Sequence, residues 1–215
     1  MSALTLYIGN YNYSSWSLRA WLTLTKVELP FETRMIDLDV PGFKEKLLGL
    51  TDAGTVPVLG INGENLPDSL AISEFAAKCV PNLWPTDETT KTNARQAAKL
   101  MHEGFEALRR EAPMNLRRRT SKPMPKDCLA DAAEMDALWC DLLSRHDGPF
   151  LFGNWSIADA FYTPAATRFA SYDLPRTPRA DTYISELMSD PDYQDWEAMA
   201  FTETHILPET DAVNM

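Results

Sequence analysis

The proline in Thr55-Val56-Pro57-Val58 limits how this chain can fold more than any other residue, because it stands at the head of two extended runs. Val56 to Ile61 and Glu64 to Leu66 flank Asn62-Gly63. An Asn-Gly pair in that position favours a tight hairpin, since both central residues tolerate positive φ. Proline has no N–H to give to a strand ladder. Pro57 therefore marks either an edge position with an ordinary trans bond, or a bend, for which a cis bond is the usual cause.

The residues before it alternate between strand and helix patterns. Leu4, Leu6 and Ile8 recur at period two and predict a strand. Leu18, Trp21, Leu22 and Thr25 recur at helical spacing, with Ser14, Ser15 or Ser17 as candidate caps and Pro30 as the stop. Phe31 to Leu38 reads as a second strand, and Phe43, Leu47, Leu48 and Leu50 as a short helix ended by Asp52-Ala53-Gly54. After the hairpin, Asp68-Ser69 opens a helix carrying Leu70, Ile72, Phe75 and Ala76. The order is β-α-β-α-β-β-α over residues 1–80.

The proline-rich stretch VPNLWPTDETT breaks both periodicities, so residues 81–90 read as a linker. Residues 91–215 read as an all-α domain. Helices are expected over about Glu88 to Ala112, Lys126 to Arg145, Ile157 to Ala170, Ala180 to Met188 and Pro191 to Thr202. The last is announced by Asp190 as cap and Pro191 at the first helical position, where the missing N–H costs nothing.

Charge narrows the partners. A formal charge of -11 repels phosphate backbones and anionic lipid surfaces, which disfavours nucleic acid and membranes and favours a small molecule. Cys79, Cys128 and Cys140 form no CxxC pair and sit in apolar helical patterns, as buried thiols in a reducing compartment do. The start, MSALTLYIGN, lacks a basic segment followed by a long apolar one, and no run approaches the roughly 18 apolar residues of a membrane span. A cytoplasmic protein is expected.

A resemblance then becomes specific. After strand, helix, strand and helix, Pro57 matches the thioredoxin-like fold, in which the residue before a cis-proline offers its backbone to an extended peptide. An SSxS stretch after the first strand, VPVL near position 57, DSLAISEF, a linker and a helical half together resemble the cytosolic glutathione transferases. The family's S/T-x-x-D motif is matched by Ser156-Ile157-Ala158-Asp159, a capping box shortened by one methylene whose role is structural. Within the family, YSSWSLRAWLTL resembles the zeta-class SSCSWRVRIAL, with Trp16 in place of its cysteine.

The resemblance implies glutathione as co-substrate, no metal, and a homodimer acting on a small hydrophobic electrophile. A free thiol has a pKa of about 8.5 and is mostly protonated at neutral pH, so it must be activated. A serine hydroxyl at a helix start can donate to the sulfur where the helix dipole also favours the anion. The resemblance implies Ser14 for that role, with Ser15 beside it. In the bland alternative, Ser14, Ser15 and Ser17 serve only as caps. Tyr7 is the rival, since other classes use a phenol at the end of the first strand.

By the same resemblance, the Val56 backbone beside Pro57 pairs with the cysteinyl amide. Ser69 and its helix N-terminus receive the γ-glutamyl carboxylate, and Asp68 complements the ammonium. Zeta-like chains have glutamine at Asp68 and another where Gly42 stands, so the glycine carboxylate lacks an evident partner. An electrophile pocket is expected among Tyr11, Tyr13, Trp16, His102, Phe105, Met114 and Asn115, with Met114-Asn115-Leu116 resembling the zeta stretch QNL. Arg117-Arg118-Arg119 either attracts anionic substrates or is a solvated helix end. The transferase reading has two alternatives: glutathione-dependent cis-trans isomerisation, as in maleylacetoacetate breakdown, which the loss of the cysteine puts in doubt, and a non-catalytic interaction module.

Overall fold

The computed structural model of the chain describes residues 4–27 and 29–213. Strands β1 (Leu4–Ile8), β2 (Phe31–Met35), β3 (Val58–Ile61) and β4 (Glu64–Pro67) form one sheet in the order β2-β1-β3-β4. β1 runs parallel to β2 and antiparallel to β3, and β3 is antiparallel to β4. Leu4, Leu6 and Ile8 point into the core, and Tyr7 turns to the other face, beside Arg34. Helices α1 (Ser15–Lys26), α2 (Phe43–Leu48) and α3 (Ser69–Cys79) complete this half, an α+β thioredoxin-like arrangement in the expected order.

The hairpin forms at Asn62-Gly63, whose φ values are +53° and +89°. The Val56–Pro57 bond is cis, and Pro57 precedes β3 rather than lying within it. β2 ends at Met35, three residues short of the expected Leu38. Its neighbour β1 ends at Ile8, and the N–H of Leu38 is taken by the Asn10 side chain at 2.9 Å instead of by a strand.

The other half is helical: α4 (Glu88–Glu103), α5 (Glu106–Glu111), α6 (Lys126–Arg145), α7 (Ile157–Ser171), α8 (Pro178–Met188), α9 (Pro191–Thr202) and α10 (Pro208–Ala212). The single helix expected over Glu88 to Ala112 is divided at Gly104-Phe105. Phe105 adopts a left-handed φ of +55°, and the turn carries its ring into the core. The N–H of Leu108, at the new helix start, is satisfied by Asp131 at 2.9 Å. α8 begins two residues earlier than expected, with Thr177 as cap and Pro178 at the first position, the device already evident at Asp190-Pro191.

Between the halves, Pro81–Leu83 form one tight turn, and Leu83 and Trp84 are buried. One apolar core runs from Leu6, Leu18 and Ile72 through Met101 to Trp139, Phe161 and Trp196. α1 packs on both α3 and α7, and Lys26 at its end bridges Asp190 and Asp192, each at 2.7 Å. α7 is buried on nearly every side, as suits a central helix.

Asp159 does more than close its capping box. One carboxylate oxygen accepts from the Ser156 N–H and hydroxyl, the other from the Leu151 N–H and the Tyr183 hydroxyl. The cap thus fastens the preceding loop and α8 to the start of α7. Burial pushes this carboxyl up to about 6 against those four donors.

The cysteines correct the expectation of buried thiols. Cys128 is buried and its thiol is pushed up to about 11 by burial, but Cys79 is exposed at the end of α3 and Cys140 is half-buried beside Thr177 Oγ1 at 3.0 Å. Helical spacing places a residue on a face; at a helix end that face has no neighbour. Among the described residues no helix is long and apolar enough to cross a membrane, and no cluster of His, Cys, Asp or Glu could hold a metal ion.

Candidate active site

The site is built where β1 turns into α1. Gly9 allows the chain to pass beneath Leu38, whose side chain lies 2.9 Å from where a Cβ on that glycine would stand. Asn10, fully buried, pins the turn: its side chain bonds Asp37 and the Leu38 N–H, and its carbonyl accepts from the N–H groups of Tyr13 and Ser14. Ser14 then caps α1, its Oγ accepting from the Ser17 N–H at 3.4 Å. The Ser14 hydroxyl donates to Ser17 Oγ at 2.7 Å, and Ser17 Oγ also accepts from the Gly9 N–H at 3.0 Å. Ser14, Ser15 and Ser17 are all buried. Three serines therefore occupy the positive end of one helix dipole.

Beside this turn lies a cleft of about 430 Å³ lined by Trp16, Ala53, Thr55, Val56, Pro57, Pro67, Asp68, Ser69 and His102. Four elements converge on it: the start of α1, the loop into β3, the start of α3 and the end of α4. Among the described residues no main-chain hydrogen bond reaches Val56. Asp68 caps α3, accepting from the N–H groups of Leu70 and Ala71 at 2.8 and 3.1 Å, while its other oxygen lies 3.2 Å from His102 Nε2. Asp68 holds a φ of +77°, a strained conformation for a residue with a side chain, of the kind that gathers at functional sites. Burial raises its carboxyl, but the bonds from His102 and the two N–H groups outweigh that and leave it below the ordinary value. The Ser69 hydroxyl is buried and makes no hydrogen bond among the described residues.

The structure brings Trp16, His102, Val56, Pro57, Asp68 and Ser69 together in the cleft lining, which includes neither Ser14 nor Ser15, both buried in the turn just ahead of Trp16. It does not gather the rest of the expected electrophile pocket. Tyr11 lines a separate groove of about 670 Å³ with Met35, Met199 and His205. Asn115 lies in another of about 480 Å³ with Tyr13 and Arg117, its side chain bonded to Asn12 and Asp211. Phe105 and Met114 are core. Arg117, Arg118 and Arg119 are not a solvated run: Arg117 donates to the Glu203 and His205 carbonyls, Arg118 to the Asp211 carbonyl and Arg119 to the Leu116 carbonyl. Tyr7 faces away from the helix start, on the far side of the sheet from the core.

Two features escaped the sequence. Arg19 is fully buried with no hydrogen bond to its guanidinium nitrogens among the described residues, and it stacks on Trp16 at 4.4 Å and Phe161 at 5.0 Å. Burial, then Arg168 and Arg109, lower it to about 9; Arg168, also buried, is lowered to about 10. Both remain charged at neutral pH. The helical spacing from Leu18 to Leu22 gave a signal that position 19 borders the core, but nothing in it marks the position as enclosed. The second feature is Glu203, whose carboxylate accepts from the Tyr11 and Asn12 N–H groups at 2.6 and 3.0 Å across 191 residues or more of chain. That contact has no local signature.

Residues 13–79 match the family model described as glutathione S-transferase, N-terminal domain. A probable maleylacetoacetate isomerase of Caenorhabditis elegans is 28% identical over 186 residues, spanning 82% of this chain and 84% of that protein. Among solved structures, a glutathione transferase homolog from Burkholderia gl BGR1 with bound glutathione superposes with a TM-score of 0.74 at 23% identity, over 94% of this chain and 100% of the other. The Tau class glutathione S-transferase of mango, Mangifera indica, gives 0.70 at 17% identity, over 92% and 96%. These likenesses show the fold.

Proposed function

We propose that the chain is a glutathione transferase that binds glutathione in the Trp16–His102 cleft and adds its thiolate to a small hydrophobic electrophile. The observation that carries this reading is the convergence on one cleft of the Val56 backbone, the helix N-terminus at Asp68-Ser69 and the start of α1 at Trp16, with the Ser14 cap in the turn beside it. Each part answers one group of the tripeptide. Val56 N–H and C=O pair with the cysteinyl amide as an added strand. The unpartnered Ser69 hydroxyl and the α3 N–H groups receive the γ-glutamyl carboxylate, and Asp68 the ammonium. Ser14 turns its hydroxyl to the sulfur, where the α1 dipole also favours the thiolate. Exposed Gly42 offers the glycine carboxylate no side chain.

The proposed enzyme acts in the cytoplasm as a homodimer. Retention on immobilised glutathione followed by turnover of an activated aryl chloride tests the activity. Retention with no turnover favours a binding module instead.

A second reading, glutathione-dependent cis-trans isomerisation of an unsaturated diacid, is favoured by the likeness to the C. elegans relative, a probable maleylacetoacetate isomerase. Trp16, where zeta-like isomerases carry cysteine, weighs against it. Assay of the purified protein with maleylacetoacetate separates the two readings.

A further inference from the structure

We propose that Ser17 is a positioning residue for thiol activation, holding the Ser14 hydroxyl so that its proton can be given to sulfur; this rests on the reading of Ser14 as the thiol donor. Ser17 is fully buried in the first turn of α1, where the cap needs only its N–H. Its hydroxyl is engaged on both sides: Oγ accepts from the Gly9 N–H at 3.0 Å and lies 2.7 Å from Ser14 Oγ. A hydroxyl has one hydrogen to donate and two lone pairs to accept with. In the free protein Ser14 spends its hydrogen on Ser17.

With a thiolate in the cleft, Ser14 rotates its O–H to the sulfur, which empties the contact between the two oxygens. Ser17 then turns its own hydrogen onto Ser14. The bonds run in one direction, from Gly9 N–H to Ser17 O–H to Ser14 O–H to sulfur, and each donor polarises the next. No serine is deprotonated. The thiol proton leaves to a solvent base, and both hydroxyls stay neutral throughout.

A Ser17 that only satisfied the Gly9 N–H would affect folding and leave the thiol untouched. The test therefore reads the thiol directly: the ultraviolet absorbance of glutathione thiolate bound to the protein is titrated against pH, alongside the pH profile of kcat/KM with an activated aryl chloride. Ser17→Ala is expected to raise the bound thiol's midpoint, with turnover falling roughly five- to tenfold at pH 6.5 and recovering above the midpoint. Glutathione affinity stays within about twofold, since no tripeptide contact is removed. Ser17→Cys, nearly the same size with a weak S–H donor, carries the same test if the alanine variant does not fold. A midpoint unchanged in a folded Ser17 variant, while Ser14→Ala raises it, overturns the proposal alone. A midpoint unchanged in Ser14→Ala as well overturns the reading of Ser14 on which it rests.

Discussion

His102 Nε2 lies 3.2 Å from the Asp68 carboxylate, so the cap of α3 in the sheet-bearing half is fastened to the end of α4 in the helical half. The same imidazole meets the Trp16 ring edge-on at 5.0 Å, which makes one wall of the cleft a single packed unit.

Asp68→Ala removes this cap and costs about 1 kcal/mol at neutral pH. The bonds that outweigh burial hold the Asp68 carboxyl below its ordinary value, so the folded state prefers it ionised. That contribution is present above about pH 4, the unfolded value, and is lost as acid protonates the folded carboxyl below it. Denaturant unfolding of both proteins from pH 7 to pH 3 checks the sign: the gap between them narrows on acidification. A gap that widens contradicts the assignment.

Glu203→Ala leaves the Tyr11 and Asn12 N–H groups without their acceptor. Two charge-assisted bonds are lost, and a destabilisation of about 2–3 kcal/mol is expected, with Glu203→Gln costing roughly half because one oxygen remains. Unfolding midpoints measure it. Kinetics add a second readout, since the segment released also carries the turn that presents Ser14.

Trp16→Phe keeps an aromatic wall but removes an indole from the cleft. Wild-type tryptophan fluorescence is expected to change on addition of glutathione, and the variant to lose most of that change although Trp21, Trp84 and the remaining tryptophans stay in place. Trp16→Ala additionally removes one of the two rings stacked on the Arg19 guanidinium, at about 1–2 kcal/mol. Fluorescence titration and thermal melts report the two effects separately.

Asp159→Ala removes the acceptor for two N–H groups and two hydroxyls buried together. A loss of about 3 kcal/mol or more is expected, large enough to reduce soluble yield. Asp159→Asn keeps one oxygen and costs less. Equal stability of the alanine variant and the parent protein contradicts the role of this carboxylate as a tie between α7, α8 and the loop at Leu151.

Sequence made local features legible. Strand alternation in β1, the Asn62-Gly63 turn, the Asp68 and Asp190 caps and the Ser156–Asp159 box all arise from neighbours a few residues apart, and their physics is visible at that range. The break at Phe105 was not: a left-handed aromatic residue is chosen by the core it fills. The electrophile pocket shows the same limit. Tyr11 and Asn115 sit near the helix start in sequence or by resemblance, but Glu203, Trp196 and Asp211 draw them into separate grooves. Arg19 gives no such signal, because an arginine in an amphipathic pattern reads as solvent-facing, and only the fold shows it enclosed between two aromatic rings.

The most direct test of the account compares Ser14→Ala with Tyr7→Phe in steady-state turnover of an activated aryl chloride, with glutathione affinity measured in parallel. Loss of the serine is expected to lower kcat about a hundredfold, the scale of one donor to a developing anion, while affinity for glutathione holds and Tyr7→Phe stays near the parent rate. Turnover unchanged in Ser14→Ala, or lowered only by Tyr7→Phe, contradicts the assignment of Ser14 as the group that activates the thiol.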